Sequence, residues 1–113
     1  MKRKEFLKLN KIIIENSDYY LVNGKDVDNG SVIIRMLDKM EKDGWMVDLR
    51  IALDQGESGT YLRMPGTYEA FICYDQEKMN AFFVEGKSYP KQDHYGKFRW
   101  EAIAKAFTEI YEN

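Results

Sequence analysis

The stretch "SVIIRMLDKMEKDGWMVDLRIAL", Ser31 to Leu53, changes its apolar period midway, and that change decides the fold class. In its first half Val32, Ile33, Met36, Leu37 and Met40 fall at i, i+1, i+4, i+5 and i+8, one stripe of a helix. Arg35, Asp38, Lys39 and Lys42 take the opposite face. Ser31 stands where an N-cap belongs, and Gly44 where the left-handed C′ residue usually sits. From Trp45 onward the period is two. Trp45, Val47, Leu49, Ile51 and Leu53 point one way, and Met46, Asp48, Arg50 and Ala52 the other. A capped helix running directly into a strand makes this an α+β chain.

Working outward, Phe6, Leu9 and Ile13 at i, i+3 and i+7 predict an N-terminal helix within residues 1–16. "NSDYYLVNGKDVDNG", Asn16 to Gly30, reads as a loop with a short strand at Tyr19–Val22, its "DVDNG" a solvated turn capping the second helix. Beyond Leu53, "DQGESG" is a turn, and Thr60–Met64 a short strand before a Pro65-Gly66 turn. Tyr68–Tyr74 and Met79–Val84 read as strands joined by a "DQEK" hairpin loop. Ala70 and Ile72 oppose Phe71 and Cys73, and strands apolar on both sides predict a sheet covered, at least in part, on both faces. A loop, Lys87–Lys97, leads into a last helix from near Phe98. Its stripe is Trp100, Ile103, Ala104, Phe107, Ile110 and Tyr111, with Glu101 largely outside it and Trp100 in the core. The expected order is α-α-β-β-β-(β)-α. Short connections make the sheet an antiparallel meander of three or four strands with helices packed on it, a small α-β-α sandwich.

The 113 residues suit a single domain, and an apolar fraction of 44% supports a core. A net charge of −2 speaks against direct nucleic-acid binding dominated by phosphate contacts, and equally against a polyanionic DNA mimic. One cysteine, Cys73, forms no intrachain disulfide and fits a reducing compartment. The basic N-terminus lacks an unbroken apolar h-region, and no apolar run approaches a membrane span. The expectation is a cytoplasmic protein.

The helix ending "MLDKMEKDGW", the strand "WMVDLRI", the segment "NAFFVEG" and the helix "WEAIAKAFTEIYE" together resemble the phage ABA-sandwich domain family. The resemblance covers residues 31–112 and rests most on the Gly44-Trp45 junction and the run Ala102 to Ala106. Such proteins are small α-β-α products of phages and prophages without established function. The resemblance therefore implies fold and origin, and supplies no functional residues.

No catalytic or metal motif emerges. One His and one Cys are too few for a zinc site, and "DVDNG" lacks the ligand spacing of a calcium loop. Cys73 lies in an apolar strand, Ser88 has no nucleophile elbow, and "EGKS" has Ala81 where a P-loop needs glycine. Asp48, Arg50 and His94 are the residues an enzyme would use, with no constellation among them, so no cofactor is expected. The loop residues Lys87, Tyr89, Lys91, His94, Tyr95, Lys97 and Arg99 alternate cations with rings, a mix that suits a partner or a small anion, helped by amides at the start of the last helix. Met36, Met40, Met46, Met64 and Met79 are core filler at this spacing. Phe6, Leu9, Tyr19, Tyr20 and Tyr61 are candidates for an interface, and a homodimer would form through the first helix or an edge strand. The leading expectation is a non-enzymatic, prophage-type interaction protein that occludes a host protein, of which an anti-defence (anti-CRISPR-type) inhibitor is one form. The alternative is a nucleotide-binding or sponge protein using the loop 87–99.

Overall fold

A computed structural model of the chain describes residues 1–55, 61–73, 76–86 and 88–112, without the side chains of 53–55, 61–66 and 76. Its elements are α1 (Arg3–Asn16), a 3-10 turn (Asp26–Asn29), α2 (Gly30–Lys42), β1 (Val47–Gln55), β2 (Tyr61–Ile72), α3 (Gln76–Val84), β3 (Asp93–Gly96) and α4 (Arg99–Tyr111). The three strands form one antiparallel sheet in the order β1-β2-β3. The protein is an α+β domain with helices packed on an antiparallel sheet. No helix among the described residues is long and apolar enough to cross a membrane.

The helix-to-strand switch sits where the residues place it. α2 ends at Lys42, and Gly44 takes φ +87°, which a side chain would strain. Trp45 N–H then donates to Met40 O at 2.8 Å, turning the chain into β1. Ser31 is not the cap, because the helix already begins at Gly30 behind Asn29. Asn29 is fully buried, and its amide both accepts from and donates to the backbone of Val22 at 2.7 Å. Asn10 Oδ1 accepts from Leu21 N–H at 2.7 Å. The expected strand at Tyr19–Val22 is therefore absent: side-chain amides, not another strand, satisfy its backbone.

α4 is the hub. Trp100, Ala102, Ile103, Ala104, Ala106 and Phe107 have no exposed surface, and they meet Ile13, Met36, Met40, Ala70 and Ile72 in one core. Glu101, expected outside the stripe, is buried too, and one of its oxygens accepts from Lys97 N–H at 3.3 Å. The small residues of α4 let the sheet approach closely. A Cβ on Gly96 would lie 2.5 Å from Glu101 Cβ and 2.8 Å from Ala102 N, so β3 needs glycine there.

Three other expectations change. The segments Thr60–Met64 and Tyr68–Tyr74 are not two strands around a Pro65-Gly66 turn. One strand, β2, runs through both, paired with β1 on either side of a register shift in which Ala52 alone faces the four β2 residues 64–67, so the Pro65-Gly66 pair makes an irregularity within a strand instead of a turn between two. At that shift the alternation of β1 inverts, and Ala52 is buried while Ile51 is 38% exposed. Met79–Val84 is helix, not strand: Gln76-Glu77-Lys78-Met79 are strong helix formers, and Phe82 turns inward, onto Trp45 and Tyr89. The loop Lys87–Lys97 contains β3, which adds to the free side of β2. The turn at 56–60 lies outside the described residues.

Candidate functional site

The expected cover on both faces does not hold. Among the described residues the core lies on one face of the sheet, and the other is left open. Register builds that open face in two rows across the three strands. Asp48, Phe71 and Asp93 form one row, and Arg50, Glu69 and Tyr95 the other. Arg50 Nε donates to Glu69 Oε1 at 2.6 Å, and its guanidinium lies 4.8 Å from the centre of the Phe71 ring. The Glu69 carboxylate also serves Asp93 and Tyr95 as an acceptor. At the end of β2 the thiol of Cys73 reaches Asp48 Oδ2 at 3.6 Å.

These contacts set the charges. Burial works to raise the Glu69 carboxyl, but hydrogen bonds from Arg50, Asp93 and Tyr95 outweigh it and leave the group below its ordinary value. Asp93 moves up, chiefly through its hydrogen bond to Glu69, then through burial. Glu69 is thus the ionised member and Asp93 the one that holds a proton longer. Burial, then Glu69, raises the Tyr95 phenol. Burial, then Asp48, raises the Cys73 thiol, so it is a poor nucleophile. Among the described residues no three His, Cys, Asp or Glu side chains gather to hold a metal ion.

The residues singled out around Lys87–Arg99 do not converge. Tyr89 packs edge-on against Trp45 and Phe82 and donates its hydroxyl to Cys73 O at 3.0 Å, a structural staple. His94 is buried on the core face, its Nε2 2.8 Å from Lys91 O. Lys97 lies over Phe98, and Arg99 over Tyr68 at 4.4 Å. Lys91 is exposed, with its N–H on Glu109. Tyr95 alone of the set joins the open face, and Lys87 lies outside the described residues. The expected anion site at the start of α4 is filled from within: the amides of Arg99 and Trp100 donate to Asp26 at 3.1 and 3.0 Å. "DVDNG" therefore leads into the second helix without a side-chain cap for it, and caps the last helix instead.

The interface candidates divide as well. Leu9 is core, and Phe6 meets Trp100 edge-on at 6.0 Å, so neither is free for a partner. Tyr19 lies under Arg35, Tyr20 is 67% exposed, and the Tyr61 side chain is outside the described set. Met36 and Met40 are core as expected, but Met46 is 65% exposed beside β1. Asp48 and Arg50 were visible as the outer face of a strand. Glu69 was hidden in a strand read as apolar on both sides, and Asp93 and Tyr95 in a stretch read as loop.

Buried His94 makes a pH prediction. Burial lowers it from its ordinary 6.5, against the smaller upward pull of the Lys91 carbonyl. The unfolded chain therefore takes up this proton first, so stability is full above about pH 6.5 and falls as pH drops through the lowered value. Urea midpoints should decline on acidification in wild type and decline less in His94→Gln. An identical slope in both would show that His94 is not the group responsible.

No protein-family model, curated protein or solved structure matches this chain.

Proposed function

We propose that this chain is a non-enzymatic interaction protein of phage or prophage type, working in the cytoplasm of a bacterial host, which binds and occludes a host protein. The observation that carries this reading is the open sheet face. It presents Asp48, Glu69 and Asp93 with Arg50, Phe71 and Tyr95 on strands rather than on loops. Arg and Tyr are the residue types that dominate binding hot spots, and strands hold them in one arrangement before a partner arrives. Three carboxyl groups against one guanidinium make the face locally acidic, although the whole chain is near neutral. Its complement is a basic protein surface of the kind that host proteins use to grip nucleic acid, and covering such a surface is a direct route to anti-defence action. The resemblance of residues 31–112 to the phage ABA-sandwich family supports the origin. The nucleotide-sponge alternative finds no support in the geometry, because Asp26 fills the helix amides it would use.

Immobilised wild type should retain a host protein from bacterial lysate, and retention should fade as salt rises. Asp93→Lys and Tyr95→Ala should each weaken it by about tenfold or more. No retained protein above background, or equal retention by all three, overturns the reading.

A further inference from the structure

β1 ends the sheet on one side, and its backbone shows what that edge offers. Cys73 N–H donates to Met46 O at 2.8 Å, which continues the Val47↔Ile72 register by one residue. In an antiparallel ladder, residue pairs alternate between those that exchange hydrogen bonds and those that do not. Asp48 and Arg50 therefore turn their backbone groups toward β2, and Val47, Leu49 and Ile51 turn theirs away. Among the described residues no strand lies on that side. The stretch from Val47 to Ile51 carries neither proline nor lysine, and the register shift after Ile51 marks its end.

We propose that β1 pairs with β1 of a second copy, antiparallel about a two-fold axis through Leu49, joining two three-stranded sheets into one. In this register the outward groups of Val47 meet those of Ile51 in the other copy, and Leu49 meets Leu49. Every outward N–H and C=O from Val47 to Ile51 then finds a partner. On the open face Asp48 lies opposite Arg50, twice over. The neighbouring registers that keep the same hydrogen-bond parity are centred on Asp48 or on Arg50, and each sets a charge against itself. The spacing of one acid and one base around Leu49 thus selects a single pairing. Arg50 gives Nε to Glu69 and keeps further donors for this contact. Beside the edge runs a groove of about 380 Å³ whose apolar lining includes Leu37, Met46 and Val47. Ile34, one helical turn from Leu37 on α2, is 61% exposed. A second copy brings its own α2 to this side and covers both, while the acidic open face continues across the axis. The dimer is independent of the partner reading, whose test changes β3 and leaves β1 intact.

The purified full chain should sediment at twice its 13.4 kDa chain mass. Asp48→Lys sets Lys against Arg50, and Arg50→Glu sets Glu against Asp48. Each should raise the dimer dissociation constant by about tenfold. An equimolar mixture of the two should restore a heterodimer, since both cross-strand pairs become attractive. Circular dichroism checks that each variant is folded. Should Arg50→Glu unfold beside Glu69, the comparison of Asp48→Lys with Asp48→Asn still decides, repulsion weakening the dimer more than lost charge. A monomeric wild type overturns the proposal. So does a dimer indifferent to both reversals, or a β1 edge that pairs with a host peptide in place of a second copy.

Discussion

Trp100→Ala should lower folding stability by about 4 kcal/mol, the range for removing a large aromatic side chain from a closed core. Trp100 has no exposed surface and stands edge-on to Phe6, with planes at 89°, in the first turn of the helix that every other layer touches. Its loss opens a cavity between α1 and α4 that neither helix can close without dragging the sheet. It also leaves Gly24 O without the indole N–H that reaches it at 2.8 Å. Against a total of about 5–15 kcal/mol for a domain, this is a large share, and the melting temperature should drop by about 15 °C. Trp100→Phe keeps a ring but not the N–H, and should cost about 1–2 kcal/mol. Urea and thermal unfolding with an unchanged m value would measure both. Equal losses for the two variants would place the energy in the hydrogen bond and refute the packing account.

How far the fold could be read depended on whether its determinants were local. The α2-to-β1 switch is local: a stripe, a left-handed glycine and an alternating run lie within one stretch, and each appears where expected as far as Arg50. The segment Met79–Val84 is not. Its apolar residues serve neither period well, and Phe83 and Val84 remain 73% and 88% exposed, so helix propensity decided what pattern could not. β3 is only four residues long, with one residue whose side chain needs the core, His94. It is a strand because β2 offers it an edge. The register shift opposite Ala52 is likewise a property of two strands. It could not be seen in β1 alone, where Ile51 read as an inward residue.

The candidate site follows the same division. Alternation in β1 was enough to put Asp48 and Arg50 on one face. Their partners needed the register, because Glu69 is nineteen positions from Arg50 and Tyr95 reaches it only through β3. The basic, ring-bearing composition of Lys87–Arg99 looked like a binding loop for a physical reason. Tyrosines and lysines serve equally to staple a chain to its own core, and Tyr89, Lys97 and Arg99 are spent that way. Composition cannot separate the two uses; contacts can.

Asp26→Ala should destabilise the fold by about 2–3 kcal/mol, although the residue sits in a turn that reads as solvated. α4 has no cap of its own, since Phe98 precedes it with no side-chain acceptor. Asp26, 73 positions earlier, supplies one: its two oxygens accept from the amides of Arg99 and Trp100, and Oδ2 lies 3.4 Å from Arg99 Nη1. A charged acceptor at a helix N-terminus also gains from the helix dipole. The same turn provides Gly24 O to the Trp100 indole, so residues 24–26 clamp the start of α4 at four donors. Asp26→Asn keeps one oxygen and should recover part of the loss, and Asp26→Ala combined with Trp100→Phe should cost less than the sum, because each change frees the same turn. Thermal unfolding of the wild type and these four variants tests this. Strict additivity, or an Asp26→Ala loss below about 0.5 kcal/mol, would show that the turn and the helix are held together by packing alone.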